Sequence, residues 1–253
     1  MKQFFATLLI LTLGGFSYFA FQHFKYAKES VPVQVEIANL IRNTEKPQPE
    51  KETETPVVEE VEIPEELNLK VPFYSQAPFG NWDYPWQEAC EEASILLAAN
   101  EYFDNNWSRE DFNEEILRLV EWEKEHFGYY EHTSVTEIVE TLNKYLKLDA
   151  VVHENPSFED VQRILAQGHL IVMTFAGKEL GNPNYTNGGP VYHAMLIKGY
   201  KEGKVITHDV GTRRGEDYVY SWETIYNSLH DYSEPISEGA KIMIEILPPT
   251  NGS

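Results

Sequence analysis

One cysteine, Cys90, is the only thiol in this 253-residue chain. A single thiol closes no internal disulfide framework and builds no Cys-rich zinc site. Cys90 is therefore either an inert packing residue or a reactive one. Cations are scarce as well: 20 Lys plus Arg stand against 41 Asp plus Glu, a net charge of −21. Such a surface repels phosphate backbones and anionic headgroups, which argues against a nucleic-acid partner. No G-x-x-x-x-G-K-[ST], H-E-x-x-H or EF-hand pattern occurs, so no cofactor and no metal is expected. The acidic group Glu121, Glu123, Glu125 and His126 reads as a solvated helix face.

What is present is a globular composition, 42% hydrophobic and 13% aromatic, preceded by two unlike segments. Residues 4–21 carry no charge. As a helix they would span roughly 27 Å, close to the hydrocarbon thickness of a bilayer. No A-x-A-like cleavage pattern follows, and there is no cysteine for lipid attachment. Residues 1–28 are therefore expected to be a membrane anchor or signal segment. The remainder would be extracytoplasmic on a single-pass membrane protein, or secreted if the segment is cleaved. Residues 29–66 are punctuated by Pro47, Pro49, Pro56 and Pro64 and crowded with glutamate. They read as an extended acidic linker, with a short amphipathic helix conceivable over 33–41.

Residues 67–249 form the folded part. A strand is expected over 67–73 and a loop of turn formers over 75–85. A helix over 90–103 has Ala93, Leu96, Leu97, Asn100 and Phe103 on one largely buried face and Cys90 in its first turn. Ser108 with Asp111 announces another helix. A third is expected over 133–148, capped by Thr133 or Ser134, and a fourth over 157–167, capped by Ser157 and stopped by Gly168. Strands follow over 169–175, 191–200, 205–208, 218–220 and 242–247, with a hairpin turn at 201–204. Helices first and an antiparallel sheet second argue an α+β fold, a helical half packed on a sheet half.

A thiol at a helix N-terminus meets the positive end of the macrodipole, which favours thiolate, although Glu91 and Glu92 oppose it. A thiol nucleophile needs a histidine base and a third group to orient it. Of eight histidines, His193 enters a strand just after Gly188-Gly189-Pro190. His208 abuts Asp209 at the end of the next strand. If those strands pair around Glu202 and Gly203, facing residue numbers sum to about 405, so position 193 faces about 212 and Asp209 is near. The others (His23, His126, His132, His153, His169 and His230) have blander readings as membrane-flank, surface or structural groups.

Three blocks, VPFYSQAPFGNWDYPWQEACEEAS, YHAMLIKGY and ITHDVGTRRG, resemble the bacterial C39-like cysteine peptidases, a papain-like group, over about 68–247. The resemblance implies a papain-like fold, with the cysteine on an N-terminal helix packed on an antiparallel sheet. It implies Cys90 as nucleophile, His193 as general base and Asp209 as the group that orients it. Gln76 is the implied oxyanion-hole side chain, and Gln87 is the alternative. The chain departs from many relatives in reading Cys90-Glu91-Glu92 in place of Cys-Gly-Pro, and Asp209-Val210-Gly211 in place of Asp-Pro-Gly. The expected activity is peptide-bond hydrolysis by a monomer acting on a peptide or protein substrate. Alternatives are a non-catalytic peptide- or cell-wall-binding module, with Trp82, Trp86, Trp107, Trp122, Tyr129 and Tyr130 as groove candidates, and an amidase or transpeptidase acting on peptidoglycan stems.

Overall fold

The structure, a computed structural model, describes residues 62–249. The expected membrane segment and the linker up to residue 61 lie outside the described residues. Among the described residues no helix is long and apolar enough to cross a membrane.

The chain opens with a short strand, β1 (Glu66–Asn68), shorter than the expected 67–73. After the loop comes α1 (Cys90–Tyr102), then α2 (Arg109–His126) and α3 (Val135–Thr141). Next are β2 (Ala150–Glu154), α4 (Phe158–Ala166), β3 (Leu170–Ala176), β4 (Tyr192–Lys201), β5 (Lys204–His208), β6 (Tyr218–Ser221), α5 (Trp222–Ser228) and β7 (Ile242–Ile246). Ser108, Ser134 and Ser157 each form a reciprocal capping box, with Asp111, Glu137 and Asp160 respectively. Each box satisfies helix-end N–H groups that would otherwise lack acceptors. The helix expected over 133–148 ends early. It gives way to a wider turn at Leu142–Leu146 and to Lys147 in the left-handed region, φ 59°.

The strands form one seven-stranded sheet in the order β2-β7-β3-β4-β5-β6, with β1 pairing the end of β4. All pairings are antiparallel. Alternate residues of the central strands feed opposite cores. Leu170, Val172, Ala194, Leu196, Ile244 and Ile246 face α1, α2 and α3. Ile171, Met173, Met195, Ile197 and Met243 face α4 and α5. Helices thus cover both faces of the sheet, which is why β3 is buried along its whole length and reads as an apolar run broken only by Thr174. Two elements, β2 and α5, had no counterpart in the sequence reading.

α1 is the central helix, and here the expectation of one buried face is corrected. Every residue from Cys90 to Asn100 is buried, Glu91 and Glu92 included, because β4 packs on one side and α2 on the other. Glu123 is corrected with it: it is buried, on the inner side of α2, and not part of a solvated face.

Candidate active site

Cys90 is the first residue of α1. The preceding Ala89 supplies no side-chain cap. Among the described residues no backbone acceptor takes the Cys90 N–H, so that N–H is free to meet a developing oxyanion. α1 packs on β4, the strand that carries His193.

His193 is 1% exposed and Asp209 0%. His193 Nε2 meets Asp209 Oδ1 at 2.9 Å; among the described residues Nδ1 makes no side-chain hydrogen bond. The hairpin is closed by Glu202 and Gly203, as the turn chemistry requires. Pairs sum to 405 from Lys201↔Lys204 to Gly199↔Ile206; a bulge at Lys198 then drops the sum to 404, as in Leu196↔His208. That one-residue shift brings Gly211 rather than residue 212 onto His193. A Cβ on Gly211 would lie 2.7 Å from His193 Cε1, so the position accommodates the ring only as glycine.

Asp209 is held by more than the histidine. Gly211 N–H donates to Oδ1 at 3.1 Å. Oδ2 accepts from Asn182 Nδ2 at 2.8 Å, Tyr185 OH at 2.7 Å and Tyr220 OH at 2.6 Å. Burial by itself would raise this carboxyl. The His193 charge and these donors outweigh burial and hold it below the ordinary aspartate range. Tyr185 also packs its ring edge-on to the His193 imidazole at 5.5 Å. Asn182, Tyr185 and Tyr220 escaped the sequence reading. Only Tyr220 carried a signal, the inward phase of the alternation in β6.

The thiol itself runs against expectation. Cys90 is 5% exposed, and its S–H donates to Glu91 Oε2 at 2.9 Å. Burial and then the Glu91 and Glu92 charges push it well above its ordinary value, overriding the helix macrodipole. Behind it lies a buried acid group. Glu91 and Glu92 are pushed up by burial and by neighbouring carboxylates. Glu123 is pushed up to about 8, mainly by burial. Thr141 Oγ1 donates to Glu123 at 3.4 Å. Among the described residues, Glu91 Oε1, both Glu92 oxygens and Glu123 Oε2 find no hydrogen-bond partner.

Gln76 is buried beside this segment. Its Nε2 donates to the carbonyls of Trp86 and Gln87, at 2.9 and 3.0 Å. Oε1 has no partner. Exchanging the amide ends would set an oxygen against two carbonyls, so the orientation follows from the contacts. Gln76 thus anchors the chain leading into Cys90. Gln87 is exposed and donates to Glu88.

The other described histidines are engaged elsewhere. His208 bonds the Val71 carbonyl at 2.9 Å, and burial lowers it to about 4. His153 and His169 meet Glu245, His126 meets Glu140, and His230 meets the Gly239 carbonyl. Of the groove candidates, Trp86, Trp107, Trp122 and Tyr130 belong to the helical-side core, while Trp82 and Tyr129 are exposed. Among the described residues, no three His, Cys, Asp or Glu side chains cluster so as to hold a metal ion.

The model of the Peptidase_C39 like family matches residues 68–234. A Bacillus anthracis protein whose crystal structure is assigned to a C39-like peptidase superposes at a TM-score of 0.50, covering 74% of this chain and 99% of its own, with 16% identity. At that identity the likeness speaks for the fold alone. Comparison with curated proteins returns no match.

Proposed function

Because the chain belongs to the Peptidase_C39 like family, a peptidase family whose substrates are peptides or proteins, we propose that it hydrolyses peptide bonds with Cys90 as nucleophile, His193 as base and Asp209 as the orienting group. The observation that carries this reading is the buried His193–Asp209 pair, with its spare imidazole nitrogen, His193 lying on the strand against which the Cys90 helix packs. The Cys90 sulfur attacks the scissile carbonyl carbon, and the S–H proton passes to His193. The Cys90 N–H meets the oxyanion. Gln76 joins it only by releasing one of the carbonyls it now holds. His193 returns the proton to the amine as the C–N bond breaks, leaving a thioester. Water, deprotonated by His193, then cleaves the thioester and restores the thiol. Asp209 fixes the ring and stabilises its charged form.

Cys90→Ala is expected to abolish both peptide turnover and labelling by a thiol-directed covalent probe; full turnover in that variant would end the reading. The buried, Glu91-bonded thiol favours a second reading, a non-catalytic peptide- or wall-binding module. Such a module would bind its ligand equally well as Cys90→Ala.

Export and tethering through residues 1–28 belong to the same proposal, supported by the uncharged run over 4–21. The peptidase domain at 67–249 would then work outside the membrane at the end of an acidic spacer. Protease protection of the full chain in sealed vesicles checks this: digestion of the domain from the cytoplasmic side would refute it.

A further inference from the structure

The loop that leaves Asp209 carries Arg213 and Arg214, which the proposed reaction does not use. Both are exposed. Among the described residues neither has an ion pair, which they share with Arg109 and several lysines. In a chain of net charge −21, these are two adjacent exposed guanidinium groups, in a loop that also carries Glu216 and Asp217. In the same loop Asp217 is engaged by Lys198 at 2.6 Å. Asp83 and Glu216 are exposed.

The loop beneath them is held at both ends. Asp209 N–H donates to the Gly215 carbonyl at 2.9 Å, and Tyr218 N–H to the same oxygen at 3.3 Å. A Cβ on Gly215 would lie 1.7 Å from the Asp209 carbonyl oxygen, so the loop closes tightly on itself. Thr212 is buried, and its Oγ1 accepts the Arg214 N–H at 3.2 Å. At the near end, Gly211 covers the His193 ring. At the far side, Arg213 Nη1 stands 3.6 Å from where a Cβ would sit on Gly80, in the loop that runs from Gln76 towards Cys90. Arg213 therefore joins the loop flanking the base to the loop flanking the nucleophile.

We propose that Arg213 and Arg214 form a carboxylate-recognising subsite beside the Cys90–His193 centre, so that the protein selects peptides carrying an Asp or Glu side chain, or a free α-carboxylate, close to the cleaved bond. The planar guanidinium fork matches a carboxylate bidentately. Long-range repulsion by the acidic surface is screened within about 8 Å at physiological salt, which leaves the contact charges to decide. The inference rests on the peptidase reading above.

The test is turnover by the full-length protein of fluorogenic peptide pairs, Glu against Gln at one position, and free against amidated C-terminus. One acid form is expected to exceed its neutral counterpart about tenfold in kcat/KM, which tells side-chain from terminal recognition. The ratio should shrink with added salt and fall to about one in the Arg213→Ala, Arg214→Ala double variant. In Arg213→Glu the preference should turn towards a Lys-bearing peptide. Equal turnover of every pair by the parent protein overturns the subsite, as does a preference that survives the double variant. If no peptide is cleaved, the peptidase reading fails separately, and fluorescence anisotropy with the same pairs decides the subsite. Tighter acid-form binding lost with the arginines supports it; equal binding overturns it.

Discussion

At the scale of the residue, the pair Cys90 and Glu91 opposes two effects that act on one thiol. The helix N-terminus lowers its proton affinity, while burial and the adjacent carboxylate raise it. Here the second side wins, and the S–H rests on Glu91 Oε2 at 2.9 Å. Glu91 therefore acts as a brake on thiolate formation. Replacing it by glutamine removes the ionisable group and keeps the shape. Glu91→Gln is expected to lower the thiol pKa and to speed alkylation at neutral pH roughly tenfold. Iodoacetamide alkylation followed against pH reads this directly; an unchanged or slower profile would show that burial alone sets the thiol.

At the scale of the element, local signals were the most legible. Capping serines, glycine stops and the turn at Glu202 and Gly203 are encoded within a few residues of where they act. The sequence therefore located α1, α2, α4 and the β4–β5 hairpin closely. Register was legible too, except for the bulge at Lys198, where buried Lys198 Nζ meets Asn68 and Asp217 across neighbouring segments. That bulge places Gly211 on His193. Gly211→Ala would push a methyl group to 2.7 Å from His193 Cε1 and displace the ring. It is expected to cost on the order of a hundredfold in kcat/KM with little change in the thermal midpoint. Kinetics beside a thermal melt separate the outcomes. A collapsed midpoint would instead make Gly211 a structural residue. The strand β2 and the helix α5 were not legible, because each is short and is ordered by what it packs against: β2 by β7, and α5 by β3 and β5.

At the scale of the whole molecule, the buried carboxyls behind α1 couple stability to pH. Glu123 titrates near its ordinary value when unfolded and near about 8 when folded. Between those values the folded state holds a proton that the unfolded state has released, so stability falls as pH rises. The contribution is fully present below the ordinary glutamate range and is lost by about pH 8, with a slope of up to roughly 1.4 kcal/mol per pH unit for one such group. Asp209 works in the opposite sense: its lowered pKa contributes stability above the ordinary aspartate value, which is lost on acidification. Together these groups are expected to place the stability optimum on the acid side of neutrality. Glu123→Gln is expected to raise the thermal midpoint near pH 8 and to flatten the pH dependence above the ordinary glutamate range. Melting curves across a pH series check it; a parallel curve displaced downward would show that the carboxyl stabilises the fold.

The sequence by itself determined the α+β class, the helix that presents Cys90, the hairpin that pairs His193 with the neighbourhood of Asp209, and the family resemblance. Each of these rests on a pattern local in the chain or on a motif in order. Only the tertiary structure decided what surrounds those groups. It put Glu91, Glu92 and Glu123 inside, turned Gln76 onto backbone carbonyls, gathered Asn182, Tyr185 and Tyr220 around Asp209, and laid Arg213 against the loop of Gly80. Burial and contact between residues distant in sequence are properties of packing, and periodicity in one segment carries no information about which other segment will cover it.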